Sequence, residues 1–357
     1  MKNRASSYSL FSGFVKYKLR NVLYIALAWT IIDSIVILLM RDEAHITFRF
    51  FVVRESAVFI ISCFMGYLFV FALRNAFPKQ SPFLNFVLKS FSLILAAFLI
   101  SFLVPVLDSI ILRGKEASEA MQLSINDMLE PKLLFRRILY WVVLLVITQL
   151  YMEINEKYSP GVFIDIIRGK YMQPKIEKRI VMFMDLKDST PIAEKLGHVE
   201  NFKFIRDFIF DVSMALIEHD GRIYQYVGDE IVVSWLFSKR NAQKCLNSII
   251  DARKNLQKNG EHFRRRYNII PEFRVGLHMG EVTVGQIGVI KKDLAMSGDT
   301  MNTTARIRSA CTELNQKFIM SKNFMENSDL TDWQGESLGI IDLKGKAEGI
   351  ELFSIKI

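Results

Sequence analysis

The chain has 357 residues, 51 % of them apolar, and a formal net charge of +9. A positive mean hydropathy argues against one water-soluble domain and for two parts, one of them in a membrane. No nucleic-acid motif accompanies the basic charge, so it reads as a face toward anionic lipid and phosphate groups, with no nucleic-acid partner.

The first twenty residues carry Lys2, Arg4, Lys16, Lys18 and Arg20 and no acid. The apolar run behind them is too long for a signal peptide and lacks a small-residue cleavage site. Four segments suit membrane spans, each close to the ~20 residues a bilayer core requires: residues 21–40, 53–73, 91–111 and 134–152. Asp33 should face other helices, because a carboxylate in lipid is costly. Arg54 and Glu55 sit near the start of the second span, where they pair or reach the interface. Asp108 is a further acid in the third, and Pro105 predicts a kink there. Four spans put both termini on one side. The basic arm and the loop with Arg74, Lys79 and Lys89 mark that side as cytoplasmic. Arg136 and Arg137 run against this and are assigned to snorkelling. The expectation is a multi-pass protein of the inner or plasma membrane, with lipid as a partner and residues 1–152 as the transmembrane domain. Short loops leave no sizeable external sensor domain, and the lack of internal repeats weighs against a transporter.

Residues 153–177 are a linker. Tyr158-Ser159-Pro160-Gly161 interrupts the outgoing helix, Val162–Ile167 is apolar apart from Asp165, and the stretch after it is basic. Three cysteines, Cys63, Cys245 and Cys311, show no metal spacing and no pairing. The last two are read as reduced thiols.

Residues 178–357 alternate strands and helices. Ile180–Met184 is a continuous apolar run, the mark of a central strand, and Asp185 ends it. Asp188-Ser189-Thr190 and Pro191 predict a helix start with a capping hydroxyl and Pro at the first helical position. Phe202–His219 follows as an amphipathic helix. Gly221–Trp235 reads as a hairpin with Gly228-Asp229 at its turn. Asn241–Lys258 is a second amphipathic helix, and Glu272–Gly280 with Glu281–Ile287 a second strand pair. Gly298-Asp299 is a turn. A helix starts at Met301 and carries Asn302 and Arg306 on one face. Two closing strands in Gly339–Ile357 surround Lys344-Gly345-Lys346. The order predicts an α+β sandwich with helices over a mainly antiparallel sheet.

Asp185 and Asp229 carry the chemistry. Either alone reads as an Asp capping its own backbone. With one on a strand end and one on a hairpin turn of the same sheet, they suit Mg²⁺, which takes one or two carboxylates plus substrate phosphates. Ser189 and Thr190 open a helix whose N-terminal amides suit a phosphate.

Five blocks in order, FMDLKDST, YQYVGDEIV, FRVGLHMGEVTVGQIG, SGDTMNTTARI and LKGKAEGIELF, resemble the class III nucleotide cyclase catalytic domain over Lys178–Ile357. The resemblance implies an α+β, ferredoxin-like catalytic domain behind the four-span bundle. It implies cyclisation of ATP to 3′,5′-cyclic AMP and pyrophosphate. By that resemblance Asp185 and Asp229 bind two Mg²⁺ or Mn²⁺ ions per active site. Asn302 orients the ribose, Arg306 stabilises the transferred phosphoryl group, and Lys344 or Lys346 approaches the triphosphate. The site would form in a homodimer, with Asp185 and Asp229 from one subunit and Asn302 and Arg306 from the other. Gln225 and Ala295 match the base-reading positions. A Gln amide both donates and accepts, so it can pair with adenine, whereas Ala295 adds no polar side-chain contact. ATP is favoured over GTP. The alternatives are a guanylate or mixed-specificity cyclase, or a silent nucleotide-binding module. Silence predicts loss of Asp185, Asp229, Asn302 or Arg306, and all four are present. A diguanylate cyclase of the GGDEF type has a similar G-D-E turn but no place for the Asn302–Arg306 block.

Overall fold

Long apolar runs without turn residues become helices in the first half of this computed structural model. It describes residues 13–39, 48–73, 82–111, 114–157, 165, 168–290, 293–328, 335–343, 346 and 348–355. The chain divides into two units, Met1–Lys157 and Tyr158–Ile357. The first unit contains α1 (Gly13–Leu39), α2 (Phe48–Tyr67), a π-helical turn continuing it (Leu68–Leu73), α3 (Pro82–Ile111), α4 (Ala117–Leu129) and α5 (Pro131–Lys157). The four expected segments fall on the four longest of these helices; the intervening α4 was not expected.

Among the described residues, two helical stretches have the length and hydropathy of a membrane span, Tyr17–Ile37 and Phe51–Phe71. Ser101–Ile111 and Ile138–Met152 are shorter apolar stretches. The four-span expectation is therefore met in two spans only. Asp33 is buried among helices, as its cost in lipid requires. Tyr140 Oη donates to Asp33 Oδ1 at 3.0 Å, and Arg54 Nη2 lies 3.3 Å from Asp33 Oδ2. Trp29 Nε1 donates to Thr148 Oγ1 at 2.8 Å, tying α1 to α5. Ile31, Ile60, Phe64 and Phe91 point outward and are exposed. Pro105 lies inside α3. Met40, Arg74, Lys79 and the linker residues Tyr158–Ile164, Ile166 and Ile167 lie outside the described residues, as do the side chains of Lys89, Asp108, Arg136 and Arg137.

The second unit is built on β1 (Lys175–Leu186), whose residues Ile180–Met184 are all buried. Strands buried on both faces read as unbroken apolar runs. Ile180, Met182 and Met184 enter a core with Phe204, Phe208 and Ile249. Val181 and Phe183 point the other way, toward Val232, Val282 and Met301. Truncating one of the first three to Ala would cost about 2–5 kcal/mol.

Next come α6 (Ser189–Glu218), β2 (Arg222–Val227), β3 (Glu230–Leu236), α7 (Lys239–Lys258), α8 (Gly260–Tyr267), β4 (Phe273–Ile287), β5 (Asp293–Ser297), α9 (Asp299–Glu313), β6 (Phe318–Ser321), α10 (Lys322–Asn327), β7 (Gly335–Ile341) and β8 (Ile350–Ile355). The strands form one sheet in the order β2-β3-β1-β4-β6-β8-β7, with β5 also on β4. The β4–β6 pair is parallel and the others are antiparallel.

Two expectations are corrected. Glu272–Gly280 and Glu281–Ile287 do not pair with one another; they form the single strand β4. Gly280 is there for close approach: a Cβ on it would lie 2.4 Å from Thr300 Oγ1 of α9. Ser189 and Thr190 do not cap their helix. The residue before it, Asp188, takes the left-handed conformation with φ 58° and offers no side-chain cap. Pro191 is consequently the third helical residue, still within the first turn, where no intrahelical donor is needed.

Entry to the sheet is held by charge. Arg222 Nη1, at the start of β2, lies 3.1 Å from Asp165 Oδ2. Lys170 lies 3.6 Å from Asp165 Oδ2 and 3.4 Å from Glu177 Oε1. Buried Arg179 closes the series, 2.6 Å from Glu177 Oε2.

Candidate active site

Asp185 is the penultimate residue of β1 and pairs with Arg274 of β4. On the other edge β1 pairs with β3, with Met184 opposite Ile231. The hairpin turn preceding β3 therefore arrives beside Asp185. Gly228 has φ 63°, whereas Asp229 is not among the residues of positive φ, a pattern that fits a two-residue turn with Gly first. Asp229 does not cap this turn: its Oδ2 is buried with no hydrogen-bond partner.

The two carboxylates disturb each other. Burial pushes Asp185 up to about 7; the neighbouring Asp229 charge adds to this and Arg308 opposes it. Burial also raises Glu230, against the pull of Arg308. Arg308 Nη1 lies 3.2 Å from Asp185 Oδ2 and Arg308 Nε lies 2.8 Å from Glu230 Oε2. The second contact is an ion pair.

Sequence reasoning missed Arg308 and Glu230. Arg308 stands two residues beyond Arg306, about 200° around a helix, and so on another face from the Asn302–Arg306 pair. Helix α9 presses that face against β4 at Gly276, where a Cβ would lie 2.4 Å from Arg308 N.

Asn302 is exposed and Arg306 half-buried on α9. Among the described residues, neither side chain has a hydrogen bond or ion pair, and neither is joined to Asp185 or Asp229. Lys346 forms an ion pair with Asp299, the first residue of α9, and its amide donates to Leu343 O at 2.9 Å. Lys344 lies outside the described residues. Half-buried Ser189 and exposed Thr190 open α6. His278 of β4 shares a hydrogen bond with Ser321 Oγ at 2.7 Å; burial, then nearby Lys346, pushes it down to about 4, so it is neutral at pH 7.

Gln225 is exposed on β2 and Ala295 half-buried on β5. Their neighbours meet: the Met296 amide donates to Tyr224 Oη at 3.2 Å. The Tyr224 side chain thus links the strands that carry the two proposed base-reading positions, although β2 and β5 are not neighbours in the sheet.

Among the described residues, no group of three or more His, Cys, Asp or Glu side chains is gathered as a ready metal site. The pair Asp185 and Asp229, with one orphaned buried oxygen, fits instead a hard cation that completes its shell with substrate phosphate and water.

Residues 171–356, just over half of the chain, match the family described as the adenylate and guanylate cyclase catalytic domain. Adenylate cyclase 2 of Rhizobium meliloti (strain 1021) is 27 % identical over 206 residues, 57 % of this chain and 57 % of that protein. The adenylate cyclase of Anabaena cylindrica is 26 % identical over 216 residues, 56 % of this chain and 42 % of that protein. The chain spans about half the length of the curated relatives it matches. The structure of a bacterial light-regulated adenylyl cyclase has a TM-score of 0.54 at 19 % identity, covering 64 % of this chain and 67 % of that one, and shows a shared fold. With its strand-end carboxylates, its α9 face and this match, the chain belongs to the adenylate and guanylate cyclase catalytic domain family.

Proposed function

We propose that the protein is a membrane-bound adenylate cyclase that converts ATP to 3′,5′-cyclic AMP and pyrophosphate at a homodimer interface. The observation that carries this reading is the buried, unpartnered Asp229 Oδ2 beside Asp185, on a chain that keeps Asn302 and Arg306. In the reaction the ribose 3′-hydroxyl gives up its proton and its oxygen bonds to the α-phosphorus, the bond from the α-phosphorus to the oxygen bridging to the β-phosphorus breaks, and pyrophosphate leaves with that electron pair and takes up the proton directly or through water. Two Mg²⁺ or Mn²⁺ ions held by Asp185 and Asp229 would supply charge neutralisation for the attacking and leaving oxygens.

The remaining work falls to side chains. Arg306 and Asn302 of the partner subunit would reach the transferred phosphoryl group and the ribose. Among the described residues neither side chain has a hydrogen-bond or ion-pair partner, which leaves both available for this. Lys346, released from Asp299, and Lys344 would meet the triphosphate, together with the uncapped amides at Ser189 and Thr190. Gln225 would pair with adenine, and Ala295 leaves the opposite wall without a polar side chain. The one-residue reader is why GTP stays the second substrate to test.

Membrane attachment is supported by two stretches of spanning length and by outward-facing Ile31, Ile60, Phe64 and Phe91. We assign four spans, a cytoplasmic catalytic unit and cytoplasmic termini in the inner or plasma membrane. A signal would enter through residues 153–177. The Asp165–Arg222 pair ties that segment to β2, whose far end leads into Asp229.

The test is cyclic nucleotide production by the purified full-length protein with Mg²⁺ or Mn²⁺, offering ATP and GTP separately. Cyclic AMP from ATP, with less or no cyclic GMP from GTP, is expected. Cyclic GMP alone, or no product from either nucleotide, contradicts the reading.

A further inference from the structure

Arg308 has no role in the scheme above, yet it makes the strongest charged contacts of the site. Its position is fixed. The close passage of α9 over Gly276 leaves no room for a Cβ, which would lie 2.4 Å from Arg308 N and 2.9 Å from Arg308 Cβ. Gly276 pairs with Phe183, two residues before Asp185 on β1. From there the guanidinium reaches two carboxylates, Asp185 Oδ2 at 3.2 Å and Glu230 Oε2 at 2.8 Å. Asp185, which lies beside Asp229, and Glu230 thus share one guanidinium. That cation engages Asp185 and leaves Asp229 Oδ2 orphaned.

We infer that Arg308 is a built-in counter-cation that competes with the divalent metal for Asp185, and so sets how much Mg²⁺ or Mn²⁺ the site requires. The inference rests on the metal reading of Asp185 and Asp229. A guanidinium within ion-pair distance of a ligand oxygen lowers that oxygen's affinity for a second cation and repels the cation directly. Asp185 Oδ2 must loosen from Arg308 before it can serve a metal fully. The competing role is support: an arginine that merely orients a ligating carboxylate would help the metal bind. The two roles predict opposite signs on removing the charge.

The experiment titrates Mn²⁺ into the full-length protein in detergent without nucleotide, reading free Mn²⁺ by its electron paramagnetic resonance signal. Arg308→Gln should bind Mn²⁺ at least about five-fold more tightly than wild type, a change equivalent to about 1 kcal/mol. Arg308→Met, which keeps an apolar stem over β4, should do the same, guarding against a fold defect peculiar to one variant. Arg308→Lys keeps the charge and should stay near wild type. Asp185→Asn should lose binding. Unchanged or weaker binding in both Arg308→Gln and Arg308→Met, with binding lost in Asp185→Asn, overturns the competition and leaves the metal reading standing. Binding in Asp185→Asn equal to wild type overturns both.

Discussion

Both units bury an apolar core; they differ in what they leave on the surface. In the cyclase unit the apolar run Ile180–Met184 is buried on both faces of a sheet, and the charged groups ring its edge. In the helical unit Ile31, Ile60, Phe64 and Phe91 face outward, while Asp33, Arg54 and Tyr140 meet inside. On the membrane reading proposed above, the same physical rule, that apolar surface leaves water, gives the second arrangement because the solvent is lipid. One consequence is practical. Motifs identify chemistry in the first case, whereas in the second a polar residue stands out because it is costly.

Perturbing each unit should therefore have different effects. The largest is expected at the cyclase carboxylates. Asp229→Ala should lower cyclic AMP formation by about 10²- to 10³-fold or more without lowering the thermal midpoint, measured by initial rates and a melting curve. Retained activity would remove the metal role of Asp229. In the helical unit, Asp33→Ala should cost about 1–3 kcal/mol of that unit's stability, because it removes the buried acceptor of Tyr140 and Arg54. Unfolding in detergent followed by tryptophan fluorescence should show this, and an unchanged midpoint would mean that the pair is not buried as described. Gln225→Glu should shift the ATP-to-GTP ratio of kcat/KM toward GTP by about 10-fold, the worth of one base-edge contact. A constant ratio would exclude Gln225 as a reader.

A further effect is a pH dependence of the metal-free protein. Asp185 is raised from the usual carboxylate range to about 7, so the folded state holds a proton that the unfolded state has lost. Between about pH 4 and 7 stability contributed by this group therefore falls as pH rises. The melting midpoint in chelator should drop over that range in wild type and less so in Asp185→Asn. Equal slopes would contradict the burial of Asp185 beside Asp229.

Much of this was legible in the sequence, for reasons that also explain the misses. Gly228-Asp229 between β-formers has few other conformations, so the hairpin could be read directly. The run ending at Asp185 is apolar throughout because both faces are covered. The β4 strand was split in two at Gly280; that this glycine makes room for Thr300 within one continuous strand is set by tertiary packing. β6 is four residues long and offers no period to read. Arg308 was overlooked because periodicity places it on a face of α9 without saying that β4 lies under that face. Ser189 was given a cap role by residue type, whereas the backbone puts Asp188 in the left-handed region ahead of it.

The most direct test concerns the division of the site between two chains. Asp185→Ala and Asn302→Ala proteins, each inactive alone, should be mixed under conditions that allow subunit exchange. Random pairing makes half of the dimers mixed, each with one intact site, so activity should return to roughly a quarter of wild type in a symmetric homodimer. No recovery, with exchange verified by a labelled subunit, would contradict a shared site and return Asp185, Asp229, Asn302 and Arg306 to a single chain.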